Sequence, residues 1–414
     1  MEMDKKSFPE GWEVMQLGEV CKTTSGGTPN RKNKSNFEGK IPWVKSGELD
    51  KGLILDTEEK ISEEAIANSS AKIFPKGTLL IALYGATIGK LSFLGIDAAT
   101  NQAVCGIFKS DAIEPQFLYY YLFFQKRSLI KQAIGGAQPN ISQGILKSLP
   151  IPLPPLAEQE RIVAKIEALF SELDAGKQEA EKALQQLKVY RQAVLKWAFE
   201  GRLTNEHVVD GELPEGWEWV TIEDVAKVGT GATPLKSKKD YYDGGCIAWV
   251  TSGALNDDFV QEASAYVTEK ALKETNLSIY PKGTLLLAMY GEGKTRGKCS
   301  ELAINATTNQ AIAAIHFEQH EESIRPFLKY FLLKNYNEIR MLSSGGVQTN
   351  LNLGIVKKTR LPFPPLQEQH RIVQEIEARL SVCDEIERTL AQSLQQAEAL
   401  RQSILKKAFE GKLL

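Results

Sequence analysis

The sequence contains an internal repeat, and this repeat constrains the fold more than any other feature. FPKGTLLIALYG at 74–85 recurs as YPKGTLLLAMYG at 280–291, and TNQA at 100–103 recurs at 308–311. The matching segments keep their order along the chain, and the spacing between the two copies changes by only a few residues. Two copies of one module therefore fill the 414 residues, and each module has the size of a domain with an appendage.

Each module has two parts of different character. The first part mixes short apolar runs with turn residues, as where Pro75, Lys76 and Gly77 precede the apolar run at 78–82. This pattern predicts a turn followed by a buried strand, and a helical stretch at 115–131 interrupts the strands, so we expect an α+β domain. The second part, from about Leu156 to Glu200 in the first module, contains no proline, and its apolar residues recur at helical spacing. The expected elements are a domain at 1–153, a long helix at 154–203, a second domain at 204–363 and a second long helix at 364–414.

The two long helices carry matching apolar stripes that follow a heptad pattern. The stripe residues are Ile162, Ile166, Leu169, Leu173, Leu187 and Val194 in the first helix, and Ile372, Ile376, Ile386, Leu390, Leu400 and Ile404 in the second. Gly201 and Gly411 follow the stripes, where a left-handed residue commonly ends a helix. A single amphipathic helix could pack on its own domain, but two stripes of equal length and phase favour an antiparallel coiled coil that separates the domains. Such a coiled coil relates the two modules by a pseudo-twofold axis.

The charge balance argues against a strongly basic surface. The chain carries 50 Lys and Arg against 52 Asp and Glu, which gives a formal net charge of -2. Because neutralisation of phosphates by Lys and Arg supplies most nonspecific DNA affinity, any contact with DNA must be local or shared with partners. The chain has no apolar signal core at its start, no apolar run long enough for a membrane span, and five scattered cysteines. These features predict a soluble cytoplasmic protein with reduced thiols.

No catalytic or cofactor-binding motif is complete in the sequence. GEGKT at 291–295 is similar to the end of a phosphate-binding loop, but that loop would need glycine at Ala288. His316 and His320 have helical spacing, but no second Cys or His pair accompanies them as a metal centre would require. The sequence therefore predicts a chain that catalyses nothing itself and binds no cofactor or metal.

The repeated motifs resemble those of one family. Each module has a GW start, a TP loop, a PKGTLL strand, TNQA and an LPxPPLxEQxRIV segment, and each is closed by a helix that ends in AFEG[RK]L. This ordered set occurs twice, covers the whole chain, and resembles the specificity subunit of type I restriction-modification enzymes. The resemblance implies two target recognition domains, an antiparallel coiled coil between them, and a subunit that is not itself an enzyme.

The same resemblance implies partners and cofactors. It implies an asymmetric bipartite DNA target with an unread spacer, two methyltransferase subunits docked on the chain, and restriction or motor subunits that join for cleavage. Those partner subunits would then use S-adenosylmethionine, ATP and Mg. Two other interpretations stay open. One is the specificity chain of a related, non-type I restriction-modification enzyme, and the other is a coiled-coil scaffold that binds no DNA.

Three loops in each module carry candidate DNA contacts. Basic residues follow the TP loops and the PKGTLL strands, and polar amides lie in GGAQPN and GGVQTN. The candidates are Arg31, Lys32, Lys34, Lys236, Lys238 and Lys239 in the first loops, Lys90, Lys294, Arg296 and Lys298 in the second, and Gln138, Asn140, Gln348 and Asn350 in the third. Such side chains contact phosphates or base edges in DNA complexes, although solvated basic loops and asparagine turns produce the same patterns.

The matched helices generate a prediction about length. Inserting one heptad into the first helix alone, after Leu187, should damage assembly, because the two stripes would no longer match. Matched insertions in both helices should instead lengthen the unread spacer of the DNA target. Mapping of the methylated sequence and the thermal stability of each variant measure these effects. An unmatched insertion that changes neither would show that the helices are not paired.

Overall fold

Each of the two long helices contributes to both units into which the chain divides. The computed structural model describes residues 8–133, 140–205, 207–209, 211–291, 295–318, 322–342 and 351–414. Unit 1 comprises residues 1–181 and 391–414, and unit 2 comprises residues 182–390. Each unit therefore contains one globular domain, the beginning of one long helix and the end of the other.

The first module is built from eleven strands and five helices among the described residues. Its strands are β1 (Glu13–Gln16), β2 (Thr23–Ser25), β3 (Ile41–Val44), β4 (Gly52–Ile54), β5 (Glu59–Ile61), β6 (Ile73–Phe74), β7 (Leu79–Ala82), β8 (Leu91–Leu94), β9 (Ala98–Thr100), β10 (Val104–Ile107) and β11 (Pro150–Leu153). Its helices are α1 (Leu17–Val20), α2 (Glu63–Ala67), α3 (Pro115–Gln132), α4 (Gln143–Lys147) and the long helix α5 (Leu156–Phe199).

The second module repeats this order. Its strands are β12 (Glu218–Thr221), β13 (Lys227–Thr230), β14 (Ile247–Val250), β15 (Phe259–Val260), β16 (Ala265–Val267), β17 (Leu285–Ala288), β18 (Cys299–Leu302), β19 (Thr307–Thr308), β20 (Ile312–His316) and β21 (Arg360–Phe363). Its helices are α6 (Ile222–Val225), α7 (Glu269–Glu274), α8 (Arg325–Lys334), α9 (Tyr336–Leu342), α10 (Leu353–Lys357) and the long helix α11 (Leu366–Phe409).

Each domain contains a five-stranded sheet and a smaller second sheet. In unit 1 the strand orders are β2-β10-β7-β8-β4 and β5-β3-β9-β6, and β1 pairs with β11. In unit 2 the corresponding orders are β13-β20-β17-β18-β15 and β16-β14-β19, and β12 pairs with β21. The five-stranded sheets have the same strand order in both units, and the second sheet of unit 1 has one additional strand, β6. Each repeated motif therefore occupies the same place in its own domain.

The central strand β7 is buried on both faces. Leu79 and Ile81 belong to the core that includes α3 and the long helices, whereas Leu80 and Ala82 pack with residues of the second sheet. Alternation between two faces is the rule for a strand, so a strand covered on both sides reads as a continuous apolar run. The strand β17 of unit 2 is buried in the same way.

The Pro-Lys-Gly-Thr motif forms the turn that precedes each central strand. Gly77 and Gly283 have φ of +87° and +91°, a left-handed conformation that glycine adopts without a steric penalty. The hydroxyl of Thr78 donates a hydrogen bond of 2.7 Å to the carbonyl oxygen of Pro75, and Thr284 repeats this bond to Pro281 at 2.7 Å. The motif therefore recurs because it fixes where the central strand begins.

The Pro-Pro-Leu-x-Glu-Gln motif attaches each long helix to its domain. Gln159 is buried, and its Nε2 donates to the carbonyl oxygen of Pro154 at 2.8 Å. Its Oε1 accepts a hydrogen bond from the backbone N–H of Glu114 at 2.8 Å. Gln369 is buried at the same place in unit 2 and donates to the carbonyl oxygen of Pro364 at 2.8 Å. A buried amide with such bonds fixes the direction in which the helix leaves the domain.

The two helical segments of unit 1 pack antiparallel. Near one end, Trp12 donates to Glu158 on α5, and a Cβ placed on Gly411 after α11 would lie 3.6 Å from the same indole ring. Farther along, the Arg401 guanidinium on α11 pairs with the carboxylate of Asp174 on α5. Residue numbers therefore increase along α5 in the direction in which they decrease along α11, so the two helices are antiparallel.

Unit 2 repeats this packing with the helices exchanged. Glu368, near the start of α11, accepts a hydrogen bond of 2.8 Å from Asn205, just beyond the end of α5. Farther along, Arg191 on α5 pairs with Asp384 and Glu387 on α11 at 2.6 and 3.0 Å. The predicted α+β class, with two similar domains, two long helices and antiparallel helix pairing, is confirmed.

Each domain core is completed by the end of the other module's helix. The Phe409 ring at the end of α11 lies 5.3 Å from that of Phe117 and 5.1 Å from that of Tyr121, both on α3. In unit 2, the Phe199 ring at the end of α5 lies 5.0 Å from that of Phe327 on α8. The repeated Ala-Phe-Glu-Gly motif therefore supplies a buried aromatic anchor to each core.

The stripe residues differ in burial. Ile162, Ile166, Val194, Ile372, Ile376 and Ile404 are buried, and Leu169, Leu173, Leu187 and Leu390 are half-buried. Ile386 and Leu400, also expected in the stripe, are 42% and 50% exposed. Cys383 takes the buried position before Ile386, and Tyr190, the counterpart of Leu400 in the first module, is exposed as well. Fewer apolar side chains are therefore buried between the helices at a distance from the domains. There, Arg191 and Arg401 form ion pairs between the helices.

The anchoring of unit 1 by the C-terminal helix generates a prediction. Phe409→Ala should destabilise the chain by about 3 to 5 kcal/mol, because it removes a large ring from a packed core. Leu400→Ala on the same helix is the matched control, and its effect should stay within about 0.5 kcal/mol because the side chain is exposed. Urea unfolding of the full chain measures both. Equal effects of the two substitutions would contradict the anchoring role.

Candidate nucleic-acid interface

In each unit the TP loop, the described part of the loop after the central strand, and TNQA lie at one end of the five-stranded sheet. In unit 1, β10 pairs antiparallel with both β2 and β7, so the ends of β2 and β7 lie beside the beginning of β10. The TP loop follows β2, the loop with Lys90 follows β7, and TNQA precedes β10. We call this the loop end of the sheet. It comprises residues 26–34, 84–90 and 100–103 in unit 1 and residues 231–239, 289–291, 295–298 and 308–311 in unit 2.

A tryptophan holds the base of each TP loop. The indole Nε1 of Trp43 donates to the carbonyl oxygen of Gly27 at 3.1 Å, and the backbone N–H of Gly27 donates to Thr100 at 2.9 Å. Unit 2 repeats both bonds, with Trp249 donating to Ala232 at 3.1 Å and Ala232 donating to Thr308 at 3.0 Å. The tryptophans belong to the second sheet, so this sheet serves as the base on which the TP loop is positioned.

Each TP-loop threonine contacts the glutamine of TNQA. The hydroxyl of Thr28 donates to Oε1 of Gln102, and the hydroxyl of Thr233 donates to Oε1 of Gln310 at 2.6 Å. Both glutamines are exposed at the loop end. The sequence-based prediction of DNA contacts did not include these glutamines, because it selected basic loops. The recurrence of TNQA in both modules could have indicated them.

Arg31 is held within its own domain. Its guanidinium lies 3.1 Å from Oε2 of Glu59 and stacks 4.9 Å from the ring centre of Phe37. Burial would raise the pKa of Glu59, but hydrogen bonds from Lys45 and Arg31 lower that pKa below its ordinary value. The carboxylate therefore stays ionised and compensates the charge of Arg31.

Lys238 has a similar internal partner in unit 2. Its Nζ lies 2.7 Å from the Tyr241 hydroxyl and 2.9 Å from Oε2 of Glu274. These two hydrogen bonds raise the pKa of Lys238 above its ordinary value. Hydrogen bonds from Lys238 and from the Tyr241 hydroxyl lower the pKa of Glu274. The charge of Lys238 is therefore matched locally, as is that of Arg31 in the other loop.

Four other lysines of the TP loops have no such partner. Lys32, Lys34, Lys236 and Lys239 are exposed and form no ion pair with any residue that the structure describes. Lys34 and Lys239 occupy equivalent positions, because each is the first residue of a short 3₁₀ turn after the TP loop. These two lysines are the best matched candidates for contact with phosphates.

The second candidate loop is more tightly bonded. Lys90 lies 3.6 Å from Oδ2 of Asp50, and Lys298 donates to Oδ1 of Asn256 at 2.8 Å. The backbone carbonyl of Arg296 accepts a hydrogen bond of 2.8 Å from Arg340, which holds this loop against α9. Lys294 lies outside the described residues.

The third candidate loop returns to the loop end in unit 1. Asn140 is exposed and forms an isolated β-bridge with Tyr84, just after β7. Gln138, Gln348 and Asn350 lie outside the described residues. In unit 2 the backbone N–H of Leu351 donates a hydrogen bond of 3.2 Å to the carbonyl oxygen of Met289, next to the end of β17.

The described residues contain neither a metal-binding cluster nor a membrane-spanning helix. No group of three His, Cys, Asp or Glu side chains that could hold a metal ion occurs among the described residues. No helix in these parts is long and apolar enough to cross a membrane. The exposed lysines and side-chain amides of the loop end supply positive charge and hydrogen-bond donors.

Known proteins resemble this chain in both sequence and fold. The type I restriction modification DNA specificity domain matches residues 9–183 and again residues 214–396. The chain belongs to this family. The two matches correspond to the two modules of the repeat, and each begins in a domain and extends into the following long helix.

Relatives in the specificity domain family cover nearly the whole chain. The MjaIX specificity subunit of Methanocaldococcus jannaschii is 27% identical over 390 residues, 90% of this chain and 88% of that protein. The EcoKI specificity subunit of Escherichia coli strain K12 is 26% identical over 441 positions, 99% of this chain and 91% of that protein. Both are named as subunits of type I restriction enzymes.

Solved structures have the same fold. A chain from work on complex assembly and conformational transition of the type I R-M system gives a TM-score of 0.74 at 22% identity, covering 98% of this chain and 99% of that chain. The HsdS subunit from Thermoanaerobacter tengcongensis gives 0.63 at 23% identity, covering 98% of both chains. At these identities the likeness concerns the fold alone.

The matched lysines generate a prediction about salt dependence. Lys34→Ala and Lys239→Ala should each weaken duplex DNA binding and lower the slope of log affinity against log salt by about 0.9, the value for one lost phosphate contact. Lys238→Ala is the control, because Glu274 already matches its charge. Titrations at several salt concentrations, with the methyltransferase partner present, measure the slopes. If all three variants keep the slope of the unmodified chain, Lys34 and Lys239 do not contact phosphates.

Proposed function

We propose that this chain is the DNA specificity subunit of a type I restriction-modification enzyme, and that it directs the methyltransferase and restriction subunits to an asymmetric bipartite target. One observation carries this proposal. Each unit presents a loop end on the same scaffold, while the loops themselves differ in sequence and internal bonding. Two similar readers with unlike loops suit a target made of two unlike half-sites.

The two TP loops illustrate how the readers differ. In unit 1 the loop is supported by asparagines, since Asn36 donates to the carbonyl oxygen of Asn30 at 3.0 Å and Asn33 accepts from the backbone of Ser35. In unit 2 the hydroxyl of Tyr242 donates to the carbonyl oxygen of Pro234 at 2.7 Å. Different internal supports give the loops different shapes at the same position, so each loop can select a different base sequence.

The chemistry of the complex belongs to the partners in this proposal. The chain is a non-catalytic subunit, two methyltransferase subunits dock on it, and restriction subunits join for cleavage. S-adenosylmethionine, ATP and Mg are bound by those partners. The relatives come from bacteria and an archaeon, whose DNA lies in the cytoplasm, and we place this chain there as well.

The near-neutral charge generates a prediction that also separates this proposal from a DNA-blind scaffold. The isolated chain has a formal net charge of -2 and should bind a random duplex weakly. Addition of the methyltransferase partner should produce tight, salt-sensitive binding, because the partner adds phosphate contacts. A gel shift with and without the partner measures this. No DNA binding in either case would favour the scaffold, and purification without a separate motor subunit would favour a related non-type I enzyme.

A further inference from the structure

The contact between TP-loop threonine and TNQA glutamine is the same in both units, although the loops around it differ. In each unit the threonine hydroxyl donates to the glutamine Oε1. Three positions after the threonine, the loops read Arg31, Lys32 and Asn33 in unit 1. The equivalent residues of unit 2 are Lys236, Ser237 and Lys238. An identical pair within unlike loops points to a role that does not depend on the sequence being read.

The hydrogen bond from the threonine occupies the oxygen of each glutamine side chain, so only the NH₂ group remains available for another partner. Because Oε1 already accepts from the hydroxyl, the remaining group is the Nε2 amide with its two N–H bonds. Neither Gln102 nor Gln310 uses Nε2 in a hydrogen bond with any residue that the structure describes, and both side chains are exposed. A donor fixed in this way fits an acceptor without a proton, such as a phosphate oxygen.

We propose that Gln102 and Gln310 are matched contacts to DNA backbone phosphates, and that Thr28 and Thr233 are their positioning residues. This inference rests on the proposed function and adds a specific contact to it. Phosphates are the same in every base sequence, so one donor can serve two unlike half-sites. A base-reading glutamine, by contrast, would recognise the same base edge in both half-sites, whereas the surrounding loops suit unlike ones.

The charge of the donor gives this contact a distinctive signature. A lysine that contacts phosphate neutralises charge and releases counterions, so its loss changes the salt dependence of binding. A glutamine amide is neutral and releases none. Loss of Gln102 or Gln310 should therefore lower affinity by the same factor at every salt concentration, unlike the loss of Lys34 or Lys239.

The test uses the chain assembled with its methyltransferase partner. Gln102→Ala and Gln310→Ala should each weaken binding about tenfold, the scale of one hydrogen bond to a charged group. The loss should be equal on a duplex with the mapped target and on a duplex without it, and the salt slope should not change. Gln261→Ala is the matched control, because this exposed glutamine follows β15 at the opposite end of the sheet from the loop end.

The threonines are tested by a double-mutant cycle. Thr28→Val keeps the shape but removes the hydroxyl, so it should weaken binding by itself and add little to Gln102→Ala. Thr28→Ser should retain most of the affinity, because it retains the donor. Thermal unfolding of each variant should match that of the unmodified chain, since Gln102 is exposed and Thr28 is half-buried in a loop outside the domain core.

Three results would overturn the inference. If both glutamine variants keep the affinity of the unmodified chain, these glutamines do not contact DNA. If the loss of affinity depends on the base at one position of the target, the glutamine contacts a base. If the salt slope changes, the substitution has altered charge neutralisation, which a neutral amide cannot supply. These outcomes differ from a failure of the proposed function, in which the unmodified complex itself would not bind DNA.

Discussion

The fold depends on the burial of one helix end in the core of the domain that belongs to the other module. Phe409 packs against Phe117 and Tyr121 in unit 1, and Phe199 packs against Phe327 in unit 2. Neither domain completes its core with residues of its own module alone. Because each long helix contributes to both units, the two modules are physically linked, and the antiparallel helix pairing follows from where these aromatic anchors lie.

The loop end of each sheet depends on a second repeated interaction. Trp43 and Trp249 hold the bases of the TP loops from the second sheet, and both tryptophans are buried. The loop residues that follow this base differ between the two units, whereas the core beneath them is built in the same way. A constant scaffold with variable loops is how a recognition domain acquires a new target while it keeps its partners.

Sequence alone predicted the fold class and the helix pair, because repeated motifs with turn signals and heptad spacing reflect local physics. It could not predict that Arg31 and Lys238 are compensated by acids, since Glu59 and Glu274 lie 28 and 36 residues away. Periodicity also placed Leu400 in the stripe, although apolar spacing does not tell which positions have a neighbour on the facing helix. The neutral glutamines of TNQA were missed, because a search for basic residues does not detect them.

We propose that this chain selects a bipartite DNA target through two unlike readers. Genome-wide mapping of methylated bases, in cells with and without the gene for this chain, tests that claim most directly. We expect a methylated motif of two different specified sequences separated by unspecified bases, present only when the chain is made. Methylation that does not depend on the chain, or a single uninterrupted or palindromic motif, would contradict it.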